Sequence, residues 1–465
     1  MAAVRDRVMT TRLAPASPDA SANLHRGVLG IIMPPRIVLA AAGSLGDLHP
    51  FIALALALKA RGFEAEIASS PQHGAKIRAE GLTFHAIGPS IAELEVMMGM
   101  TEVEITEAVT RSSGFLFEKM LLPHLERGAR QLLAVAHGAV AIVGSTFAAG
   151  AAMAADGLGL PFVPVALQPA IVFSAFDPPA LPNAPWLGPA SGGWRLALNR
   201  LTLAGARARG AAWTGPADRV RQRMGLEPQR ASLLLDGLKN RPLALGLYSP
   251  LLGLPQADAP PAFTVTGHAA YDSETGGPTP LSPALETFLA AGPEPLVFTL
   301  GSAAVIIPGR FYVESLKAAR ILGRRAVLLV GPKGDVGVAD GPDALALAYA
   351  PFSKLFPRAA AIVHQGGVGT TQQALRAGRP QLVVPFLGDQ FDNAARVVRL
   401  GCGATLSRRA YRAERVAEML GGVLADPTGI ETARRLGVVA SREDGASVAA
   451  ERIVQMFSLS RRERA

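Results

Sequence analysis

The sequence predicts an α/β fold built from two successive doubly wound halves facing across a cleft. Three observations carry this expectation. Apolar runs rich in β-branched residues alternate with helical patterns twice along the chain, the signature of parallel sheets covered on both faces. A stretch holding Pro255, Pro260, Pro261, Gly276, Gly277, Pro278, Pro280 and Pro283 separates the two series. Beyond it, an apolar run from Ala361 breaks at glycines and restarts as a helix. Two Rossmann-like halves in tandem hold a ligand between them, at the carboxyl ends of the strands.

The elements follow in order. Residues 1–35 are rich in Ala, Ser, Pro and Arg without periodicity and are expected to be a disordered extension, with Met33 as an alternative start. They have no long apolar stretch of a secretory signal. Residues 36–42 predict a buried strand, Gly43 to Asp47 a turn, and 50–61 a helix with Pro50 in its first turn and Gly62 past its end. Strands at 63–68, 139–144 and 162–166 continue the series, with a small-residue helix at 147–156 and two late strands at 243–247 and 263–266. A first domain over 36–268 and a linker over 269–290 are expected. In the second domain, 291–440, strands are predicted at 296–300, 326–330 and 345–349, with a helix at 311–322. Residues 441–458 predict a final helix ahead of a basic tail.

Composition narrows the function. At 465 residues the chain exceeds one ordinary core, so two domains are the natural division. Nearly half the residues are apolar (49%), yet no run of eighteen apolar residues free of charge occurs, which argues against a spanning helix. One cysteine, Cys402, excludes an intrachain disulfide and a cysteine-cluster metal site and fits a reducing cytoplasm. The net charge of +9 is concentrated: between Arg195 and Arg230 eight Arg stand against Asp218 and Glu227. With Trp194, Leu196, Leu198, Leu201 and Leu203 interleaved, this segment is either a solvated helix face or a basic amphipathic helix for peripheral contact with anionic lipid. No aromatic-basic platform accompanies it, so nucleic acid is not expected as a partner.

The chemistry concentrates at His364-Gln365-Gly366-Gly367-Val368-Gly369-Thr370, followed by Gly388-Asp389-Gln390. A strand, glycines and a helix N-terminus in that order make an anion site: glycines admit the backbone to a phosphate, and first-turn N–H groups with the helix dipole favour negative charge. A second strand over 381–385 delivers Asp389 and Gln390 beside it, two side chains able to bind hydroxyls. Phosphate next to hydroxyls suggests a sugar nucleotide.

These residues, with Gly43-Ser44-Leu45-Gly46-Asp47-Leu48-His49-Pro50 near the start and the strand ending in Gly301-Ser302, resemble GT-B glycosyltransferases. The family includes plant UDP-glycosyltransferases, sterol glucosyltransferases and the glycopeptide and macrolide glycosyltransferases. The spacing is especially similar to the rhamnosyltransferase catalytic subunit of rhamnolipid synthesis. The resemblance covers about residues 36–455 and implies a UDP- or dTDP-sugar donor in the second domain and an acceptor in the first. It implies that His364 touches the diphosphate, that Gly366, Gly367, Gly369 and Thr370 cradle it, and that Ser302 faces the phosphates. Tyr349, Ala350 and Pro351 would hold the base, partly through backbone, and Asp389 and Gln390 the sugar hydroxyls. Gln365 departs from the second histidine of sterol-type members. The general base falls on Asp47, with His49 as the alternative, while an N-cap role for Asp47 and a core role for His364 stand as the plain readings. No aspartate-x-aspartate motif is present, so a metal-independent, inverting single displacement with no cofactor is expected.

For the acceptor, Met97, Phe115 and Phe117 are candidates for an adaptable apolar pocket, or for plain core, and a small hydrophobic acceptor is expected. A nicotinamide dehydrogenase is disfavoured because neither first turn spells G-x-G-x-x-G and no acidic residue ends the strand at 63–68. A sugar-nucleotide epimerase of the same architecture, or a non-catalytic helper subunit, remain as alternatives.

Overall fold

The computed structural model describes residues 34–232, 235–273, 277, 279–339 and 341–462, so the extension and the last residues of the basic tail lie outside it. The first half runs β1 (Arg36–Ala41), α1 (Leu45–Lys59), β2 (Glu64–Ser69), α2 (Gly74–Ala79) and β3 (Thr83–Ala86). Helices α3 (Ile91–Met98), α4 (Glu102–Arg111), α5 (Ser113–Phe115) and α6 (Leu125–Val135) follow, with a π-helical turn, Leu116–Leu121, before α6. Then come β4 (Ala141–Ser145), α7 (Gly150–Leu158), β5 (Phe162–Ala166), α8 (Gly193–Arg223), β6 (Ala244–Gly246) and β7 (Phe263–Val265).

The second half opens with α9 (Pro283–Ala290), β8 (Leu296–Thr299), α10 (Phe311–Ile321), β9 (Ala326–Leu329), β10 (Ala344–Leu347) and α11 (Phe352–Leu355). It continues with β11 (Ala361–His364), α12 (Val368–Ala377), β12 (Gln381–Val383), α13 (Gln390–Leu400) and β13 (Gly403–Thr405). Three helices close the chain: α14 (Ala413–Ala425), α15 (Pro427–Ala440) and α16 (Gly445–Arg462).

Each half is a parallel sheet. The first orders its strands β3-β2-β1-β4-β5-β6-β7 and the second β10-β9-β8-β11-β12-β13. Parallel strands need both faces covered, which is why β1, β4, β5 and β8 are buried or nearly so along their length. The order reverses beside β1 in one sheet and beside β8 in the other, and the loops leaving β1 and β11 carry the two motifs. The last helix belongs to the first core: Ala446, Ala449, Ala450 and Ile453 of α16 are buried with Ile37, Leu39, Phe51 and Leu54, and Phe457 stacks on Phe63.

Two expectations change. Helix α1 begins at Leu45 instead of near Pro50, because Ser44 caps it: the Ser44 hydroxyl accepts from Gly46 N while Asp47, at the third helical position, accepts from Ser44 N. Pro50 therefore lies inside the helix at the loss of one backbone hydrogen bond. The basic segment does form a long helix, α8, but its apolar residues divide. Leu196 and Leu203 are buried, whereas Trp194 and Leu201, seven residues apart on another face, are exposed. Among the described residues no helix is long and apolar enough to cross a membrane.

Candidate functional site

The glycine turn is shaped by close approaches. Gly366 leaves β11 at φ +88°, in the left-handed region, and a Cβ there would lie 2.7 Å from Val383 Cγ1 and 2.9 Å from the Gln390 carbonyl oxygen. Gly367 caps α12, and around Gly369 no atom would lie within 4 Å of a Cβ, so backbone at the helix start stays open to a ligand. The first-turn N–H groups of α12 have no partner within the helix and point out of its N-terminus, as an anion requires. Gly366→Ala is expected to weaken donor binding at least about tenfold and to cost about 1 kcal/mol or more of stability, since both the space and the φ are wrong for a side chain. Nucleotide titration and urea denaturation measure the two effects.

The expected site residues distribute unevenly around this turn. His364 is fully buried, its Nε2 2.9 Å from Gln381 Oε1 and its Nδ1 accepting from Gly366 N at 3.0 Å. In this arrangement it holds the turn from within and has no free nitrogen for the diphosphate, and burial lowers its pKa to about 4, keeping it neutral. Thr370 is buried in the first turn of α12, and Ser302 is half-buried in the turn after β8. The base-slot residues turn inward: the Tyr349 hydroxyl donates to Asp272 O at 2.6 Å, Ala350 belongs to a core cluster, and Pro351 caps α11.

Asp389 and Gln390 begin α13. Gln390 Oε1 accepts from Phe386 N and Leu387 N, which leaves its amide nitrogen to donate. Asp389 Oδ2 accepts from Asn393 Nδ2 at 2.8 Å, and the same amide donates to Gly366 O at 2.8 Å. Asn393 thus ties the Asp389 carboxylate to the glycine turn. It is one of two residues the sequence reasoning missed, although its place four residues after Asp389 on a helix was the available signal. The other is Gln365. It is 5% exposed, its Oε1 has no partner, and its amide fills the space that side chains at Gly301 and Gly367 would need.

Asp47 approaches from the other half. Its Oδ2 takes Ser44 N at 2.8 Å and the Ser44 hydroxyl at 3.2 Å, which leaves Oδ1 without a protein partner. Burial lifts the Asp47 pKa to about 6 against the hydrogen bonds from Ser44. Asp389 rises to about 7, first through burial and then through the negative charge of Asp47. The two carboxylates therefore feel one another across the cleft and titrate as a pair. His49 is placed differently: its ring packs edge-on to Tyr271 with centroids 5.0 Å apart, its Nε2 is buried without a partner, and burial lowers its pKa to about 3. A ring so enclosed is a poor proton acceptor.

The acceptor candidates separate as well. Phe117, in the π-helical turn, stacks on Trp213 with centroids 4.5 Å apart. With Leu121, Leu122, Leu125, Thr146 and Ala149 it lines a narrow apolar crevice beyond the end of β4. Phe115 is half-buried outside that crevice, and Met97 is 54% exposed because α3 buries only Leu94. Among the described residues no group of three or more His, Cys, Asp or Glu is placed to hold a metal ion.

Paired parallel-sheet halves, an anion cradle at α12 and a carboxylate facing it from α1 define a nucleotide-sugar enzyme of GT-B architecture. Residues 37–170 match the glycosyltransferase family 28 N-terminal domain, and residues 324–455 match the erythromycin biosynthesis protein CIII-like C-terminal domain. The chain is 32% identical over 429 residues to O-mycaminosyltylonolide 6-deoxyallosyltransferase of Streptomyces fradiae, covering 88% of this chain and 94% of that protein. It is 27% identical to vancomycin aglycone glucosyltransferase of Amycolatopsis orientalis, covering 91% and 98%. It therefore belongs to the GT-B UDP-glycosyltransferase family and is a glycosyltransferase. In fold it is similar to the glycotransferase of kitacinnamycin (TM-score 0.67, 21% identity, 91% and 99% covered) and to glycosyltransferase VinC in complex with dTDP (TM-score 0.63, 20% identity, 90% and 99% covered).

Proposed function

We propose that this chain moves a hexosyl group from a UDP- or dTDP-activated sugar to a hydroxyl of a hydrophobic, natural-product-like acceptor, with inversion and without a metal ion. The observation that carries this reading is Asp47, a carboxylate with one free oxygen, lifted to about 6 and facing Asp389. As the acceptor oxygen attacks the anomeric carbon, its proton passes to Asp47. The bond from that carbon to the diphosphate breaks, and its electron pair leaves with the diphosphate toward the N-terminus of α12. Asp389 accepts from sugar hydroxyls and the Gln390 amide donates to them. The macrolide and glycopeptide-aglycone glycosyltransferases this chain resembles support a natural-product acceptor, whereas the crevice around Phe117 and Trp213, about 20 Å³, is too small to hold one as it stands.

The test is diphosphate release from UDP- and dTDP-hexoses with polyketide or peptide aglycones, with EDTA present and absent, and NMR of the product's anomeric centre. Full activity in EDTA with an inverted centre is expected. EDTA inactivation, or a product that keeps the donor configuration, removes the reading. Because the base must be deprotonated and Asp389 must accept from the sugar, kcat/KM is expected to rise with pH through about 6 to 7, as the carboxylate pair ionises, and then level. A pH profile with no inflection between 5 and 8 excludes Asp47 as the base.

A further inference from the structure

A cavity of about 260 Å³ lies between α8 and the loop at 172–175, and it shares no residue with the glycine turn, Asp47 or Asp389. We propose that it is a binding site for a carboxylate carried on a compact apolar body. Its walls are Val172, Phe173, Leu203, Leu235, Leu238 and Pro260, and its polar edge carries Arg200, Arg207 and Lys239.

The cations are incompletely used. Lys239 Nζ pairs with Asp236 at 2.7 Å. The same Asp236 lies 3.8 Å from Arg207 Nε, beyond a hydrogen bond, and that Nε is buried without a partner. Arg200 makes no hydrogen bond or ion pair among the described residues, and its guanidinium rests 5.8 Å from the centre of the Phe176 ring. Asp258, the one carboxylate on the cavity wall, is turned away: its oxygens accept from the Ser174 hydroxyl at 2.5 Å and Ala175 N at 2.7 Å. Three cations against Asp236 and Asp258 leave one positive charge in excess.

A buried guanidinium nitrogen without an acceptor is an unmet demand that an anion satisfies, and a planar carboxylate matches guanidinium donors best. The apolar walls require the rest of the ligand to be hydrophobic, and the volume, near the lower end for small-ligand sites, limits it to a short chain or a single ring. The backbone adds support. Phe173 is a non-glycine residue at φ +52°, a conformation held by the grip of Asp258 on the next two residues, and such positions concentrate at binding sites.

Octanoate is the probe, followed by isothermal titration calorimetry, with 1-octanol as the uncharged tail and sulfate as the charge without a tail. Octanoate is expected to bind with a Kd at or below about 1 mM, and both controls at least tenfold more weakly. Arg207→Gln and Arg200→Gln, whose circular dichroism and melting temperature should match the parent, are each expected to weaken octanoate roughly tenfold. The proposal is overturned if octanoate fails to bind, if 1-octanol binds as tightly, if neither substitution weakens binding, or if dTDP displaces octanoate and so places it in the cleft.

Discussion

Asp47→Asn is expected to lower kcat by about 10²–10⁴-fold while leaving donor affinity within a few-fold, the range a positioned general base contributes. The substitution keeps the shape of the site. An asparagine oxygen can still accept from Ser44 N, so the capping box that starts α1 survives and the fold is preserved. What disappears is the group that takes the acceptor proton, and the inflection near pH 6 should vanish from the residual activity with it. In the proposed function donor binding rests on the glycine turn, Asp389 and Gln390 in the other half, so a KM for the nucleotide sugar that rises as steeply as kcat falls would contradict the assignment. His49→Gln is the control. With its Nε2 enclosed and its ring against Tyr271, His49 should tolerate the change within a few-fold. Steady-state kinetics on both variants, with one aglycone and one donor, separate the two candidates directly.

The choice between those residues shows where sequence reasoning reached its limit. Both lie within one motif, and their roles depend on where α1 begins. Successive helical residues turn by about 100°, so Asp47 and His49 point about 200° apart once Leu45 starts the helix. A start near Pro50 leaves both in an irregular turn with no defined direction. The glycine turn was legible because its strand, turn and helix are contiguous, and a local pattern fixes a local geometry. Gly378 ends α12 in the left-handed region as the pattern implies. The inward commitment of His364 was not legible, since it depends on Gln381, 17 residues away on the neighbouring strand. The commitment of the Tyr349 hydroxyl to the Asp272 carbonyl, 77 residues earlier, was likewise not legible, and it leaves the backbone of 349–351 for the base. The two parallel sheets were legible from alternation, whereas the helices between β3 and β4 have mixed polarity and no strand signal to frame them.

The largest stability effect is expected at Arg396, whose i,i+4 spacing from Asp392 is a local signal but whose partners in the first half are not legible in the sequence. Its side chain is 1% exposed, with Nε 2.6 Å from Asp392 Oδ2 on the same helix. Its Nη1 reaches Asp177 Oδ2 at 2.5 Å and the Leu252 carbonyl at 2.7 Å, both in the first half of the chain. Asp392 Oδ1 in turn accepts from Ala180 N at 3.0 Å. One guanidinium thus joins α13 to two loops of the first half. Removing one member of such a network strands the other charges away from water, so Arg396→Met is expected to cost about 3–5 kcal/mol in urea denaturation. The double change Asp392→Asn and Arg396→Met should recover much of that loss, because Asp177 keeps its ion pair with Arg399 Nη1 at 3.2 Å and no uncompensated buried charge remains. Asp389 and Gln390 sit one to two turns ahead on the same helix, so the single variant should also raise the donor KM while the pH inflection near 6 stays in place. A cost below about 1 kcal/mol would mean that Arg396 is solvated in solution. The two halves would then lack this tie, and their approach would rest on the remaining contacts, among them Ser249 N to Gln372 Oε1 at 2.6 Å and the docking of α16 on the first core.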